Sequence, residues 1–261
     1  MYAEKRQTSW SSDENRGRWI LGAVILLAIA AGAWYWQKRQ ADKQETPGAV
    51  TQPVAAEPRI KNPIVPPDDI DPNLSATEQV ATLVGTPRFE ALFVPEDFVK
   101  KLVATVDGLA REDIAARMNP AKNPAGEFVT AGSGDSIVLG ADNFARYTPW
   151  IELVDSLDAD ATAALYKRLY PQFQSAYENL GNPDGYFNDR VIEVIDHLVS
   201  APEAPATIAL ARPNVLYEFA DPALEAQSAG RKLLIRMGPG NAARVKAKLK
   251  EIRDRIATRP Q

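Results

Sequence analysis

Four polar side chains with acid–base or metal-binding chemistry lie close together in the sequence: Asp189, Glu193, Asp196 and His197. Asp189, Glu193 and His197 are four positions apart, so on a helix they share one face. A carboxylate beside an imidazole can transfer protons or bind a metal ion. The same stripe lies opposite much of the apolar face of this helix, where a solvated polar face is expected. The solvated face is the favoured interpretation, and a catalytic site is the alternative.

A glycine-rich tetrapeptide, residues 132–135 (GSGD), invites comparison with phosphate loops and with the turn that carries a hydrolase nucleophile. It lacks the Gly-Lys-Ser/Thr ending of the first and the Gly-x-Ser-x-Gly pattern of the second. Short apolar runs on both sides are typical of strands, so a hairpin turn within a β element at 127–139 is predicted.

A second polar loop covers residues 183–190 and contains a glycine followed by aromatic residues. Such a loop can be a recognition surface. It is explained equally well as a connection between two helices, because its turn chemistry is strong. Both interpretations stay open at the level of sequence.

The composition excludes several kinds of site. With no cysteine, the chain has no disulfide, thiolate metal ligand or cysteine nucleophile. Its one histidine, His197, excludes a multi-histidine metal site within a single chain. We therefore assign no catalytic, cofactor-binding or metal-binding residue and expect no cofactor. No feature indicates a nucleic-acid partner or identifies a small-molecule substrate.

The elements that would position these residues follow an apolar run near the N-terminus. Residues 19–36 contain no charge and have Trp19 at one end and a Trp-Tyr-Trp cluster at the other. A helix of this length spans roughly 27 Å, close to the hydrocarbon thickness of a bilayer. We predict a transmembrane helix at 19–36 that contacts the lipid bilayer, preceded by a cytoplasmic N-terminal tail at 1–18.

A cleaved signal peptide is the alternative to this anchor, since Ala31-Gly32-Ala33 fits a cleavage site. The long N-terminal region of mixed charge argues against cleavage. The count of Lys and Arg on the two sides of the run is nearly equal, so it favours neither orientation strongly. We expect the large domain to lie outside the cytoplasm.

A proline-rich segment follows the apolar run. Seven prolines and almost no aromatic residue occur between residues 41 and 74, so this stretch cannot build a core. We predict a disordered linker at 37–74, acting either as a spacer or as a connection of little sequence specificity.

Residues 75–261 are long enough for one domain with its own core. Their apolar pattern predicts helices separated by short breaks. A long helix is predicted from Asp158, kinked or divided by Pro171. Another is predicted over 221–237, and short extended pieces are expected near 207–210 and 215–219.

The last predicted helix is strongly basic. Residues 231–261 carry ten basic and two acidic residues, a net charge of +8, whereas residues 42–230 carry −15. Two interpretations stay open for this end of the chain. The basic side either complements the acidic body of the domain, which we favour, or attracts an anionic surface such as phospholipid headgroups.

Two stretches of the domain carry a family resemblance: residues 170–198, which include YPQFQSAYE, PDGYFNDR and IDHL, and residues 216–239, which include LYEFADP and RMGP. From about Pro87 to Ile256 the chain resembles an uncharacterised proteobacterial family, domain of unknown function three-thousand-fourteen. Members of that family look like single-pass envelope proteins with a proline-rich stalk. The resemblance implies no activity, substrate or site residue.

The predicted fold class is mainly α, with one transmembrane helix, a disordered proline-rich stalk and a multi-helix globular domain with a minor β-hairpin element. The leading functional hypothesis is a non-enzymatic scaffold or binding module, held off the bacterial inner membrane in the periplasm and bound to an unidentified envelope protein. The alternatives are a membrane-tethered periplasmic enzyme using the face of Asp189, Glu193 and His197, and an interaction protein facing the cytoplasm.

Overall fold

The computed structural model describes residues 60–67, 74–133, 136–213 and 216–258, which form a mainly helical fold with two small hairpins. The ten α-helices of these residues are α1 (Ala76–Val84), α2 (Thr86–Leu92), α3 (Phe98–Gly108), α4 (Asp142–Ala145), α5 (Thr148–Ser156), α6 (Ala159–Asn179), α7 (Phe187–Val199), α8 (Pro222–Glu225), α9 (Ala229–Arg236) and α10 (Pro239–Ile256). A short 3-10 helix spans Ala116–Met118, and the strands within the same ranges are β1 (Thr130–Ala131), β2 (Val138–Leu139), β3 (Leu210–Ala211) and β4 (Glu218–Phe219).

The long helix α6 begins where its sequence predicts. The Asp158 side chain accepts a hydrogen bond from the main-chain N–H of Ala161 at 2.7 Å, which caps the helix. Pro171 lies inside α6, and the helix continues through it to Asn179. Of the two outcomes predicted for this proline, division of the helix is therefore wrong.

The single helix predicted over 221–237 is in fact two helices, α8 and α9. Asp221 caps α8, and Ser228 caps α9 by accepting the N–H of Arg231. The N–H groups of Ala229 and Gly230 donate to main-chain oxygens of the loop after α3, at 2.7 and 2.9 Å. Because a continuous helix would need these donors for itself, the tertiary contact divides it.

The two hairpins lie side by side. β1 pairs with β2 in antiparallel register, as do β3 and β4, which confirms both β elements expected from the sequence. Leu139 donates to the oxygen of Ile208 at 2.9 Å, and Leu210 donates to that of Ile137 at 2.8 Å. The hairpins are thereby joined, and one apolar cluster with Ile235 and Phe219 packs beneath them.

The main core lies between α3, α6 and α7. Its buried side chains are Ala76, Val103, Leu169, Tyr170, Phe173, Tyr177 and Phe187. Helix α10 packs across α5, α6 and α7, with Leu249, Ile252 and Ile256 on its apolar side. The end of this apolar side, at Ile256, lies beside the start of α7, where Asn188 binds the main-chain oxygen of Ile256.

The basic side of α10 binds the acidic body of the domain, which is the interpretation favoured from the charge distribution. Arg253 contacts Asp196 at 2.9 Å, Arg255 contacts Asp160 at 3.1 Å, and Arg244 pairs with Asp155. Two lysines instead donate to main-chain oxygens, Lys246 to Ala201 and Lys248 to Leu157. Much of the positive charge of this helix is therefore neutralised within the chain.

The predicted fold class requires a correction at the membrane. Across 60–67, 74–133, 136–213 and 216–258, no helix is long and apolar enough to cross a bilayer. The two longest of them, α6 and α10, carry charged residues on their exposed sides. The predicted helix at 19–36 and the tail at 1–18 lie outside the described residues, so the inner-membrane location stays a prediction.

The predicted disordered stalk is also wrong for part of its length. Residues 60–67, here called the docked segment, lie against the helical domain and make hydrogen bonds with it. Ile64 packs against the main core cluster. The docked segment therefore belongs to the same compact unit as the helical domain. The remainder of the predicted linker, 37–59 and 68–73, lies outside the described residues.

Candidate functional site: a groove that holds a segment of the chain

The docked segment is held first by Asp189, in the first turn of α7. One carboxylate oxygen accepts the N–H of Lys61 at 2.9 Å, and the other accepts the N–H of Asn62 at 2.8 Å. The second oxygen also accepts the side-chain amide of Asn62 at 2.9 Å. A carboxylate in the first turn of a helix is favoured by the helix dipole. Asp189 is thus positioned to bind main-chain N–H groups.

Asn188, the preceding residue, joins the docked segment to the core. Its side chain is completely buried and donates to the main-chain oxygens of Asn62 at 2.8 Å and Ile256 at 3.0 Å. Its amide oxygen accepts the hydroxyl of Tyr166 at 3.1 Å. A buried amide costs little only when its donors and acceptor are paired. Asn188 therefore fixes three parts of the fold at one point.

Three tyrosines form the wall behind these contacts. The hydroxyl of Tyr186 accepts the N–H of Ile64 at 2.7 Å. The rings of Tyr166 and Tyr186 flank that of Tyr170, at centroid distances of 5.8 and 5.4 Å. Burial raises the pKa of both Tyr166 and Tyr170 far above its usual range. These hydroxyls therefore stay neutral and serve as hydrogen-bonding groups.

The loop at 183–190 is shaped by Gln174 of α6. Gln174 donates to the oxygen of Gly185 and accepts the N–H of Phe187, both at 2.8 Å. A Cβ at Gly185 would lie 2.7 Å from the ring of Tyr177, so only glycine fits this close approach. The loop does connect α6 to α7, and its last residues hold the docked segment. The interpretation of this loop as a connection between two helices is confirmed, and its role as a recognition surface for a partner stays a prediction.

An open groove runs alongside the docked segment. Its main part has a volume of about 850 Å³, and a smaller part of about 250 Å³ shares Val65, Lys167, Arg255 and Ala257 with it. One wall is the segment itself, and the other is formed by α6 and the end of α10. The residues lining the main part are Val65, Pro66, Pro67, Asp160, Ala163, Ala164, Lys167, Arg168, Asp254, Arg255 and Ala257.

The acidic and histidine side chains singled out in the sequence do share α7, but each binds a different neighbour. Asp189 holds the docked segment, and Glu193, which is 67% exposed, pairs with Arg190 at 2.8 Å. Asp196 pairs with Arg253. In the part of the chain that the structure describes, no group of three or more His, Asp or Glu could hold a metal ion. The structure does not bring these side chains to a common ligand.

His197 lies at the far end of this face. Its Nε2 is 2.8 Å from the hydroxyl of Ser228, the residue that caps α9. Burial lowers the pKa of His197, and the nearby cations Arg231 and Arg190 lower it further. His197 is therefore neutral near pH 7 and links α7 to the start of α9.

A buried ion pair lies between α3 and α7. Arg190 donates through Nε to the carboxylate of Asp107 at 2.8 Å and through Nη2 to its main-chain oxygen at 2.8 Å. Asp107 also accepts from Arg111 at 2.6 Å. The side chains of Asp107 and Arg190 are only 12% and 16% exposed. This pair locks α7, and hence Asn188 and Asp189, onto the core.

The glycine-rich tetrapeptide at 132–135 lies between β1 and β2, as predicted for a hairpin turn. Gly132 has a φ of +80°, the left-handed conformation that glycine adopts readily. Residues 134 and 135 lie outside the described ranges. The hairpin is fixed from below by Asn143, whose buried side chain binds the main chain of Val129.

Of the residues that hold the docked segment, the sequence singles out only Asp189, and it does so for acid–base chemistry. By sequence alone, Asn62 belongs to the predicted stalk, Asn188 is part of a family motif, and Tyr186 is an aromatic residue of a loop. The available signal was an Asn-Asp pair at the start of a strongly amphipathic helix, where side chains can bind main-chain groups. Nothing local indicates that the bound main chain lies more than 120 positions earlier.

Together these features define a helical domain that holds part of its own chain against the start of α7, with an open groove beside it. The chain belongs to the family described as protein of unknown function (DUF3014), whose model matches residues 98–253. This confirms the resemblance noted in the sequence. Tyr186, Asn188 and Asp189 lie inside the matched range, whereas Asn62 lies outside it. No curated protein and no solved structure matches the chain significantly.

Proposed function

We propose that this domain is a non-enzymatic scaffold or binding module for a protein partner, and that its working surface is the groove along the docked segment. The observation that carries the proposal is the use of Asp189. This carboxylate is the first residue of the polar face considered for catalysis, and it accepts hydrogen bonds from the main-chain N–H groups of Lys61 and Asn62. Hydrogen bonds to the main chain of a peptide supply affinity in known modes of peptide recognition.

The groove beside the segment supports the same function. It is open and combines apolar surface with charged side chains, as protein-binding surfaces do. Val65 is 85% exposed on one wall, where Pro66 and Pro67 extend the apolar surface. Lys167 lies on the opposite wall and lines both parts of the groove.

Site-specific photo-crosslinking in the native cells tests this proposal. A photoreactive amino acid replaces Val65 or Lys167 in the full chain, and a third variant carries it at Glu90, an exposed position on α2 away from the groove. We expect crosslinked protein adducts from Val65 and Lys167 and none from Glu90. Adducts from Glu90 alone, or from none of the three, would contradict the groove as the working surface.

A further inference from the structure

The contacts of the docked segment are specific for a short sequence. Domain side chains bind its main chain at the N–H of Lys61, at both the N–H and the oxygen of Asn62, and at the N–H of Ile64. Residue 63 is a proline, which has no N–H to donate. The bonding pattern therefore accommodates proline at this position without losing a hydrogen bond.

The side chain of Asn62 is bound at both ends. Its amide nitrogen donates to Asp189 at 2.9 Å, and its amide oxygen accepts the N–H of Thr258 at 3.0 Å. An aspartate here would repel Asp189, and an aliphatic residue would leave these groups unpaired. Two positions later, Ile64 packs against the main core cluster. The site thus selects asparagine, accommodates proline next, and then takes an aliphatic residue.

The site is held in shape by contacts that do not involve the segment. Asn188 is oriented by Ile256 and Tyr166, each through a hydrogen bond within the domain. The start of α7 is fixed by Gln174, which accepts the N–H of Phe187. A binding site that is organised before its ligand arrives loses less entropy on binding.

The segment itself is lightly attached. Residues 60–67 are all described, and none of them is buried; Ile60 is 50% exposed and Val65 is 85% exposed. Apart from Ile64, the attachment consists chiefly of hydrogen bonds to main-chain groups and to Asn62. Replacing the segment by another peptide with the same groups would restore each of these bonds.

We propose that the site formed by Tyr186, Asn188 and Asp189, beside the groove, is a recognition site for Asn-Pro-aliphatic peptides of a partner protein, and that residues 62–64 occupy it as a competing ligand in the same chain. The inference rests on the proposed binding function and names its ligand. The chain has four Asn-Pro pairs, at 62, 119, 123 and 182, and only the first is followed by a large aliphatic residue. A ligand tethered in the same chain has a high effective concentration, so it masks the site until a partner displaces it.

The test measures binding of a labelled hexapeptide, Ile-Lys-Asn-Pro-Ile-Val, by fluorescence anisotropy. The protein is the full chain carrying Asn62→Ala and Ile64→Ala, which weakens the internal ligand and leaves the site intact. The control peptide has alanine at its third and fifth positions. A further variant adds Asp189→Asn to the site, and circular dichroism verifies that each variant is folded.

We expect the hexapeptide to bind the Asn62→Ala, Ile64→Ala chain at least about tenfold more tightly than the control peptide, since hydrogen bonds and one aliphatic contact are lost. The wild-type chain, masked by its own segment, should bind at least about tenfold more weakly than the variant. Adding Asp189→Asn should also weaken binding at least about tenfold.

Equal binding of the two peptides, or equal affinity of wild type and variant, would overturn the peptide inference. If crosslinks at Val65 and Lys167 still form in that case, the binding function stands and its ligand is of another kind. If those crosslinks fail as well, the proposed function fails with it.

Discussion

Asp189 binds Asn62 twice through a single carboxylate oxygen, once at the main-chain N–H at 2.8 Å and once at the side-chain amide at 2.9 Å. The two residues are 127 positions apart in the chain. This contact holds a stretch of proline-rich sequence against the helical domain. It also occupies Asp189, the first residue of the face that was considered for catalysis. The account of a scaffold with an internal peptide ligand depends on it.

Replacing Asn188 by alanine should destabilise the whole domain. The change removes the hydrogen-bond partner of the oxygen of Ile256 in a buried place, and of the oxygen of Asn62 and the hydroxyl of Tyr166 in partly buried places. We expect a loss of about 3 kcal/mol in the free energy of unfolding, measured by urea denaturation. Asn179→Ala, at the exposed end of α6, is the control and should change it by less than about 0.5 kcal/mol. Equal effects of the two changes would show that the hydrogen bonds of Asn188 do not stabilise the domain.

Arg190→Gln should destabilise the domain because it leaves the carboxylate of Asp107, only 12% exposed, with Arg111 alone, which is itself 59% exposed. The full loss of a partner from a buried ion pair costs about 3–5 kcal/mol, and because Arg111 remains we expect a cost of about 2 kcal/mol. The matched change is Glu193→Gln, since Glu193 is bound by the same arginine but is 67% exposed. We expect it to cost less than about 0.5 kcal/mol. Thermal and urea unfolding of both variants provide the comparison, and a larger effect at Glu193 would refute this assignment.

The stability of the domain should depend on pH through His197. Its pKa in the folded state is lowered by burial and by Arg231 and Arg190, so the unfolded chain binds a proton more readily. The stabilisation is complete above about pH 6.5, the unfolded value, and is lost as the pH falls through the folded pKa. His197→Gln removes this dependence and should preserve folding at pH 7 within about 1 kcal/mol. The measurement is urea unfolding of both proteins at several pH values between 7.5 and 5.5. An identical pH dependence of the free energy of unfolding in the two proteins would contradict the prediction.

The apolar side of α10, rather than its charges, should hold that helix in place. Ile256 is 4% exposed, and Ile256→Ala should cost about 3 kcal/mol through lost burial and the cavity that remains. Arg253→Gln breaks the partly exposed pair with Asp196 and should cost less than about 1 kcal/mol. Differential scanning calorimetry of the two variants measures both effects. A larger loss for Arg253→Gln would mean that charge pairing dominates.

The sequence predicts the local structure well and the long-range contacts poorly. Asp158, Asp221 and Gly238 mark helix boundaries because caps and helix stops depend on a few adjacent residues. The break before α9 was missed because the N–H groups of Ala229 and Gly230 bind a loop more than 100 positions away. Composition correctly separates a proline-rich stretch from the domain, but it cannot show which few residues of that stretch are bound.

The candidate site illustrates the same division. Placing Asp189, Glu193 and His197 on one helix was right, since that follows from their spacing. Their partners are a main chain, an arginine and a serine on three different parts of the chain, and helical spacing carries no information about them. The role of Asn188 is visible only in the folded structure, where its buried amide has hydrogen-bond partners on three different parts of the chain.

The measurement that tests the account most directly is amide hydrogen exchange in residues 60–67 of the full chain. If Asp189 holds the docked segment, the N–H groups of Lys61, Asn62 and Ile64 are protected at least about tenfold in the wild-type protein. Asp189→Asn replaces one accepting oxygen by a donor and should return them close to the exchange rate of an unfolded peptide. Glu193→Gln, one turn along α7, should leave them protected. Exchange of the segment at the unfolded rate in the wild-type protein, or unchanged protection in Asp189→Asn, would contradict the account.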